Sequence, residues 1–388
     1  MITVLSKIFL KGRPVEDIAN RKLYGTLCGI VGIVLNIILF GIKMFAGTIS
    51  GSVAICADAF NNLSDAGSSF ITLVGFIFAG KKPDIDHPFG HGRFEYISGF
   101  IVSMIIMLMG FELLKSSVEK ILHPEAIDGS LAAIVVLVVS ILVKIYMCLY
   151  NRNIGKKIDS SAMQATSMDS LSDSIATTVV LVCVVISKFT GMNLDGYGGL
   201  LVALFILYAG FNAAKDTISP LLGQAPDPEF VKQIEEIVMS NEKIVGIHDL
   251  IVHDYGPGRV MVSLHAEVDG YEDIFVLHDI IDQVENQLVD KLYCEAVIHL
   301  DPIETNNETV SKVRREVEEK LKEINENISV HDFRMVVGPT HTNLIFDVVE
   351  PYEMKQTVDE VKRLVVSKVK ELDTKYEVVL HVDRSYIK

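Results

Sequence analysis

Long runs of apolar residues separated by short polar links fill the first 222 residues, and shorter helix-like and strand-like periods follow them. A bilayer crossing requires about 20 mostly apolar residues, and six of the runs reach that length. The pattern therefore predicts an α-helical membrane domain with six transmembrane helices. The predicted spans are residues 24–46, 52–79, 96–120, 130–150, 162–187 and 197–217.

The soluble region repeats one pattern, in which a helix, two strands, a helix and a strand follow each other. "IHDLIV" at 247 is similar to "VHDFRM" at 330, and "VIHLDP" at 297 is similar to "VLHVDR" at 379. The histidines of these stretches are 51 residues apart in the first copy (His248 to His299) and 50 in the second (His331 to His381). The matching order predicts an α+β, ferredoxin-like cytoplasmic domain that is duplicated in tandem.

The boundaries follow from these patterns and from "SPLLGQAPDPEF", whose prolines end the sixth span. The predicted segments are an N-terminal arm at 1–20, a six-helix transmembrane domain at 21–222, an αββαβ unit at 223–304 and a second, degenerate unit at 305–388. Lys and Arg are concentrated in the arm and in the second and fourth links, which predicts that both termini are cytoplasmic. No organellar targeting segment is evident, so the expected location is the plasma membrane.

Composition agrees with a membrane protein and narrows its function. The chain is 49% hydrophobic with a mean hydropathy of +0.36, and its net charge of −15 disfavours nucleic acid and allows cations as partners. Its five cysteines are scattered without a CxxC motif, which argues against a disulfide framework and a thiolate zinc site. No GxxxxGK[ST] motif and no nucleophile–base set occur, so we expect neither an ATPase nor another enzyme.

Two predicted spans carry paired polar residues at a helical spacing. "AFNNLSDAGSS" in span two contains Asn61 and Asp65, and "SMDSLSDSIATT" in span five contains Asp169 and Asp173. Residues at i and i+4 lie on one helix face, so each helix directs two oxygen-bearing side chains the same way. A charge at the bilayer centre costs at least about 2.5–3.5 kcal/mol, which a shared divalent cation, or water and protons in its absence, would offset. The alternative interpretation is that these groups bond a neighbouring helix.

These motifs resemble the cation diffusion facilitator family, the six-span exporters of divalent metals, over roughly residues 20–304. "NIILFGIKMFAGTISGSVAICADAFNNLSD" resembles its first two spans, and "DIDHPFGHGRFEYISG" resembles its cytoplasmic link between spans two and three. The resemblance implies that Asn61, Asp65, Asp169 and Asp173 form the transport site. It also implies metal–proton antiport and a homodimer joined through the soluble domains.

The implied transport site differs from that of the zinc-exporting members, which usually have His or Asp at the position of Asn61 and His at that of Asp169. Oxygen ligands suit Mn²⁺, Mg²⁺ and Ca²⁺, whereas imidazole suits Zn²⁺. The Asn–Asp–Asp–Asp set resembles the manganese-exporting branch, so Mn²⁺ is the predicted substrate. No prosthetic group is expected, and Zn²⁺ or another divalent metal is expected at cytoplasmic sites.

Two further histidine groups match metal-binding patterns of the family. In the second link, Asp–x–x–His–x–x–x–His selects Asp84, His87 and His91. In the first soluble unit, the matching positions are His248, His265, His278, His299 and Asp301. The alternative for both groups is a structural role, with histidines that bond the backbone or lie at the surface.

The second soluble unit keeps His331, Asp332, His381 and Asp383, but it has Asp347 or Val348 near the position of His265 and Val361 near that of His278. We interpret it as a degenerate copy with a structural or dimer-capping role. The whole chain is therefore interpreted as a Mn²⁺ exporter that works by alternating access. The alternatives are a Zn²⁺ or Fe²⁺ exporter of the same family and, from another class, a membrane-tethered metal sensor.

Overall fold

The structure is a computed structural model and describes residues 20–50, 53–123, 131–190, 195–304, 306–351 and 354–384. The predicted N-terminal arm lies outside the described residues, except for Asn20. The chain divides into two compact units near residue 224, and the short stretch 255–258 groups with the first unit.

Six long helices make up the first unit. They are α1 (Arg21–Ser50), α2 (Val53–Ala79), α3 (Phe94–Leu122), α4 (Leu131–Lys157), α5 (Ser161–Thr190) and α6 (Asp195–Ile218), followed by a 3₁₀ turn at Pro220–Leu222. Within the described residues, all of these helices except α5 are long and apolar enough to cross a membrane. Helix α5 is not among the helices found within the described residues, so a membrane crossing by the fifth predicted span, 162–187, stays a prediction from the sequence.

The helices of the first unit pack in pairs, with α1 against α2, α3 against α6, and α4 against α5. A Cβ atom added to Gly25 of α1 would meet the Phe76 ring of α2, so glycine allows this pair its close approach. The hydroxyl oxygens of Thr72 and Thr166 lie 2.8 Å apart and join α2 to α5. This contact brings together the two helices that carry the paired polar residues.

The second unit contains the order αββαβ twice. The first copy comprises α7 (Pro228–Val238), β1 (Ile244–Asp254), β2 (Val260–Asp269), α8 (Ile274–Leu292) and β3 (Cys294–Ile303). The second copy comprises α9 (Glu308–Lys322), β4 (Ser329–Val337), β5 (Thr342–Glu350), α10 (Val358–Leu372) and β6 (Tyr376–Arg384). In each copy the first two strands are antiparallel and the last is parallel to the second, with a helix as the crossover. An origin by duplication stays a prediction, and each copy has its own apolar core.

The register of the strands aligns the two copies residue by residue. His248, His265 and His299 stand opposite one another across β1, β2 and β3. In the second sheet the corresponding row is His331, Asp347 and His381, which assigns Asp347 and not Val348 to the position of His265. Irregular pairing follows the first histidine of both rows, where Asp249 and Asp332 have φ values of 51° and 49°. Aspartate tolerates this left-handed region better than most residues.

Candidate metal sites

Three carboxylates from α2 and α5 converge inside the first unit. One oxygen from each of Asp65, Asp169 and Asp173 lies within 4.8 Å of the others. Asp65 and Asp169 are only 3% and 4% exposed, and Asp173 is half-buried. Repulsion between carboxylates this close is relieved by a bound cation or by protonation, and their oxygens have the donor chemistry of a site for a hard divalent metal.

The carboxamide beside this group belongs to Asn62 and not to Asn61. The Asn62 side chain is buried and donates from Nδ2 to Oδ2 of Asp65 over 3.2 Å, whereas Asn61 is exposed. The structure therefore brings together three of the four residues expected at the transport site, and of the two asparagines it is Asn62 that contacts Asp65. The two asparagines are neighbours on the helix, and packing selects the one that faces the carboxylates.

A lysine that the sequence analysis missed lies between the carboxylates. Nζ of Lys144, on α4, is 2.6 Å from Oδ2 of Asp65 and 2.6 Å from Oδ2 of Asp173. Its side chain is 4% exposed. The available signal was a charged residue within "LAAIVVLVVSILVKIYMCLY", a stretch that is otherwise apolar, and a charge inside a predicted span is a functional candidate by default.

The loop between α2 and α3 gathers the second predicted group. Oδ1 of Asp84 lies 3.4 Å from Nδ1 of His87, and its Oδ2 lies 3.3 Å from Nε2 of His91. The backbone N–H of His87 also donates to Oδ1 over 2.8 Å, and this bond lowers the pKa of the Asp84 carboxyl. His91 is buried, and its Nδ1 has no hydrogen-bond partner within the described residues. The three side chains lie close enough to hold a metal together, and metal binding there stays a prediction.

The first soluble copy holds the third group around Asp301. Oδ2 of Asp301 lies 3.0 Å from Nε2 of His248 and 2.9 Å from Nδ1 of His265, and its Oδ1 lies 3.3 Å from Nε2 of His299. Four of the five residues predicted here therefore meet, because the strand register aligns them. His278 is exposed on α8 and does not join them within the described chain.

One more ligand, Asp249, approaches His248 and His265 closely enough to hold a metal with them. The sequence analysis passed over it, although it follows His248 directly. Its left-handed backbone turns the chain at this point.

Comparisons with known proteins agree with this architecture. Residues 29–222 match the family described as "Cation efflux transmembrane domain", and residues 226–303 match "Cation efflux protein, cytoplasmic domain". The second match ends before α9, so these two matches do not include the second αββαβ copy.

The chain is also similar to several curated proteins. It is 34% identical to an uncharacterised transporter of Methanocaldococcus jannaschii over 71% of this chain and 97% of that protein. It is 28% identical to the cation-efflux pump FieF of Shewanella oneidensis, over 70% of this chain and 92% of the relative. It is 27% identical to the manganese efflux system protein MneS of Bacillus subtilis, over 71% of this chain and 94% of MneS.

The family consists of transporters and not of enzymes, and its cytoplasmic domain is a dimerisation domain. The predicted family resemblance is confirmed at this level. The chain belongs to the cation efflux family, as a membrane-embedded, multi-pass transporter that exports divalent metal cations.

Proposed function

We propose that the chain exports Mn²⁺ in exchange for protons, and that the metal binds at Asp65, Asp169 and Asp173. The observation that carries this proposal is the convergence of the three carboxylates between α2 and α5. The three side chains that converge there offer carboxylate oxygens, and the Asn62 carboxamide contacts one of them. Hard oxygen donors suit Mn²⁺, and the name of the B. subtilis relative is consistent with this substrate.

Lys144 gives this transport cycle a tethered cation. Its ammonium contacts Oδ2 of Asp65 and Oδ2 of Asp173, so it occupies part of the space between the carboxylates that a metal would enter. Metal entry therefore requires the ammonium to withdraw, and metal release allows it to return. In the empty transporter, the same ammonium offsets part of the repulsion between the three carboxylates.

Proton exchange follows from the charge that remains. Lys144 contacts two of the carboxylates, and the buried Lys43 of α1 also interacts electrostatically with Asp65. Two lysines therefore face three carboxylates, so the empty site keeps an excess of negative charge unless a proton binds. Alternating access would then carry metal outward and protons inward through the same site. The cytoplasmic termini, the plasma-membrane location and a homodimer joined through the soluble domains are part of this proposal, and they rest on charge distribution and on the family resemblance.

Metal uptake into proteoliposomes tests the proposal. Mn²⁺ and Zn²⁺ uptake would be compared for the wild type, for Asp65→Asn, and for Asp216→Asn as a control at an exposed aspartate of α6. We expect Mn²⁺ uptake that is lost only in Asp65→Asn and that accelerates when the lumen is more acidic than the outside. Uptake of Zn²⁺ alone would contradict the manganese assignment, and uptake of neither metal would favour a sensor.

A further inference from the structure

The two αββαβ copies meet at a cluster formed by His248 of β1, Glu267 of β2 and His331 of β4, which we call the seam cluster. One ligand atom from each of the three lies within 4.8 Å of the others. The two imidazole rings are stacked, with centroids 4.4 Å apart and an interplanar angle of 21°. Nδ1 of His331 lies 3.7 Å from Oε1 of Glu267, beyond hydrogen-bond distance.

Two nitrogens of this cluster are buried without a hydrogen-bond partner in the described part of the chain. They are Nδ1 of His248 and Nδ1 of His331. His248 is 7% exposed and Glu267 is 2% exposed. A buried polar atom without a partner is unfavourable, so two together, next to a carboxylate, indicate a ligand that satisfies both.

The remaining atoms of the cluster are held in place by neighbours. Nε2 of His331 lies 2.8 Å from Oγ of Ser329, and Nε2 of His248 lies 3.0 Å from Oδ2 of Asp301. Arg314 of α9 donates to Oε2 of Glu267 over 3.0 Å and only weakly, over 3.4 Å, to Oε1. These contacts orient the ring nitrogens and one carboxylate oxygen in the way that outer contacts orient metal ligands.

The seam cluster arises from the repeated architecture but is not symmetric. His331 occupies in the second copy the position that His248 occupies in the first, so equivalent residues of the two sheets meet. Glu267 stands two residues after His265, and the register places Val349 at the same position after Asp347. The pair of copies therefore supplies two imidazoles and a single carboxylate.

We propose that the seam cluster binds a divalent transition-metal ion of the zinc class through His248, Glu267 and His331. Two imidazoles and one carboxylate are ligands that Zn²⁺ favours, in contrast to the oxygen donors of the carboxylate group between α2 and α5. Zn–N bonds of about 2.0–2.1 Å place two tetrahedral ligand atoms roughly 3.4 Å apart. The ligand atoms lie within 4.8 Å of one another, so binding requires them to approach by at most about 1.4 Å.

This site gives the second αββαβ copy a task that goes beyond metal transport. Because His331 comes from one copy and His248 and Glu267 from the other, the metal would cross-link them. The bound metal is expected to stabilise the contact between the copies, since a ligand that binds only the folded arrangement adds its binding free energy to that arrangement.

Zinc stoichiometry of the purified full-length chain tests the site. Equilibrium dialysis against Zn²⁺ would compare the wild type with His331→Ala and Glu267→Gln, and with His341→Ala at an exposed histidine of the same copy. We expect His331→Ala and Glu267→Gln each to lose one bound Zn²⁺ per chain, and His341→Ala to lose none. Glu267→Gln keeps the size of the side chain, so its Zn²⁺ stoichiometry still tests the site if His331→Ala does not fold.

A second measurement uses Co²⁺ as a spectroscopic probe. Saturation of the wild type should give a visible absorption band of nitrogen-ligated Co²⁺ with a component that is absent in His331→Ala and present in His341→Ala. Identical Zn²⁺ stoichiometry and identical Co²⁺ spectra in all variants would overturn the proposal. Neither readout requires transport, so failure of the seam site and failure of Mn²⁺ export are distinguishable.

Discussion

Nζ of Lys144 lies 2.6 Å from Oδ2 of Asp65, at a point where both side chains are almost fully buried. A metal that uses this oxygen competes with the ammonium for it. Replacing Lys144 with Met removes the competitor, so we expect Mn²⁺ to bind at least about tenfold tighter, which corresponds to roughly 1.4 kcal/mol. Isothermal titration of the purified protein with Mn²⁺ measures this change.

The matched control for this variant is Lys156→Met, at an exposed lysine near the end of the same helix. It should leave Mn²⁺ affinity unchanged. Weaker binding in Lys144→Met would mean that the lysine arranges the carboxylates for the metal and does not compete with it.

The sequence and the structure point to different asparagines of α2 beside the carboxylates, Asn61 and Asn62. Asn62 donates to Oδ2 of Asp65, and Asn61 is exposed. We expect Asn62→Ala to raise the Mn²⁺ concentration for half-maximal transport several-fold, because it removes a polar contact to a metal ligand worth about 1 kcal/mol. Asn61→Ala should behave as the wild type in the same proteoliposome assay. The reverse ranking would restore Asn61 as the fourth ligand.

The sequence predicted the carboxylates but not their neighbours, for reasons of helix geometry. Asp65 follows Asn61 by four residues and Asn62 by three, and both spacings place side chains on the same helix face. Spacing alone therefore does not choose between the asparagines. That choice depends on how α2 packs against the other helices. The position of Lys144 depends on helix packing too, because the apolar residues around it show no periodicity that would tell which side of α4 faces the carboxylates.

A similar limit applies to the soluble copies. The helix-like and strand-like periods predicted the element order, and the family resemblance selected His248, His265 and His299. The strand register then places these three histidines side by side. His331 was expected in a degenerate, structural copy. Its stacking on His248 depends on the packing of two separate sheets, which no local pattern contains.

Asp301 is the shared partner of three histidines, so its charge controls the third metal group. We expect Asp301→Asn to lower the affinity of the cytoplasmic region for Zn²⁺ by about 10–100-fold, since it removes a carboxylate from the group. Asp383→Asn is the control, because Asp383 is the equivalent residue of the second copy and contacts one histidine, His381. Competition of the full-length protein with a zinc chelator measures the Zn²⁺ affinity of both variants. An equal loss of affinity in the two would mean a general charge effect.

The ion pair between Arg314 and Glu267 joins the two copies and is largely buried. Burial alone would raise the pKa of the Glu267 carboxyl, but the neighbouring His331 and Arg314 side chains outweigh it and lower the pKa to about 2. Removing one partner of a buried pair leaves an uncompensated charge and costs about 3–5 kcal/mol. We expect Arg314→Met to accelerate amide hydrogen exchange in α9 and β4 of the full-length protein by at least about tenfold at pH 7.

Arg315→Met provides the comparison, because Arg315 is exposed one position further along α9 and donates to the backbone oxygen of Ser311 in its own helix. The difference in amide exchange rate between Arg314→Met and Arg315→Met should also depend on pH. A carboxyl with a lowered pKa in the folded state stabilises above its ordinary value of 4.5, and the stabilisation is lost as the pH falls towards 2. The gap in exchange rate should therefore be constant between pH 7 and about pH 5 and narrow below about pH 4.5. A gap that persists unchanged at low pH would show that Arg314 acts through packing and not through the charge of Glu267.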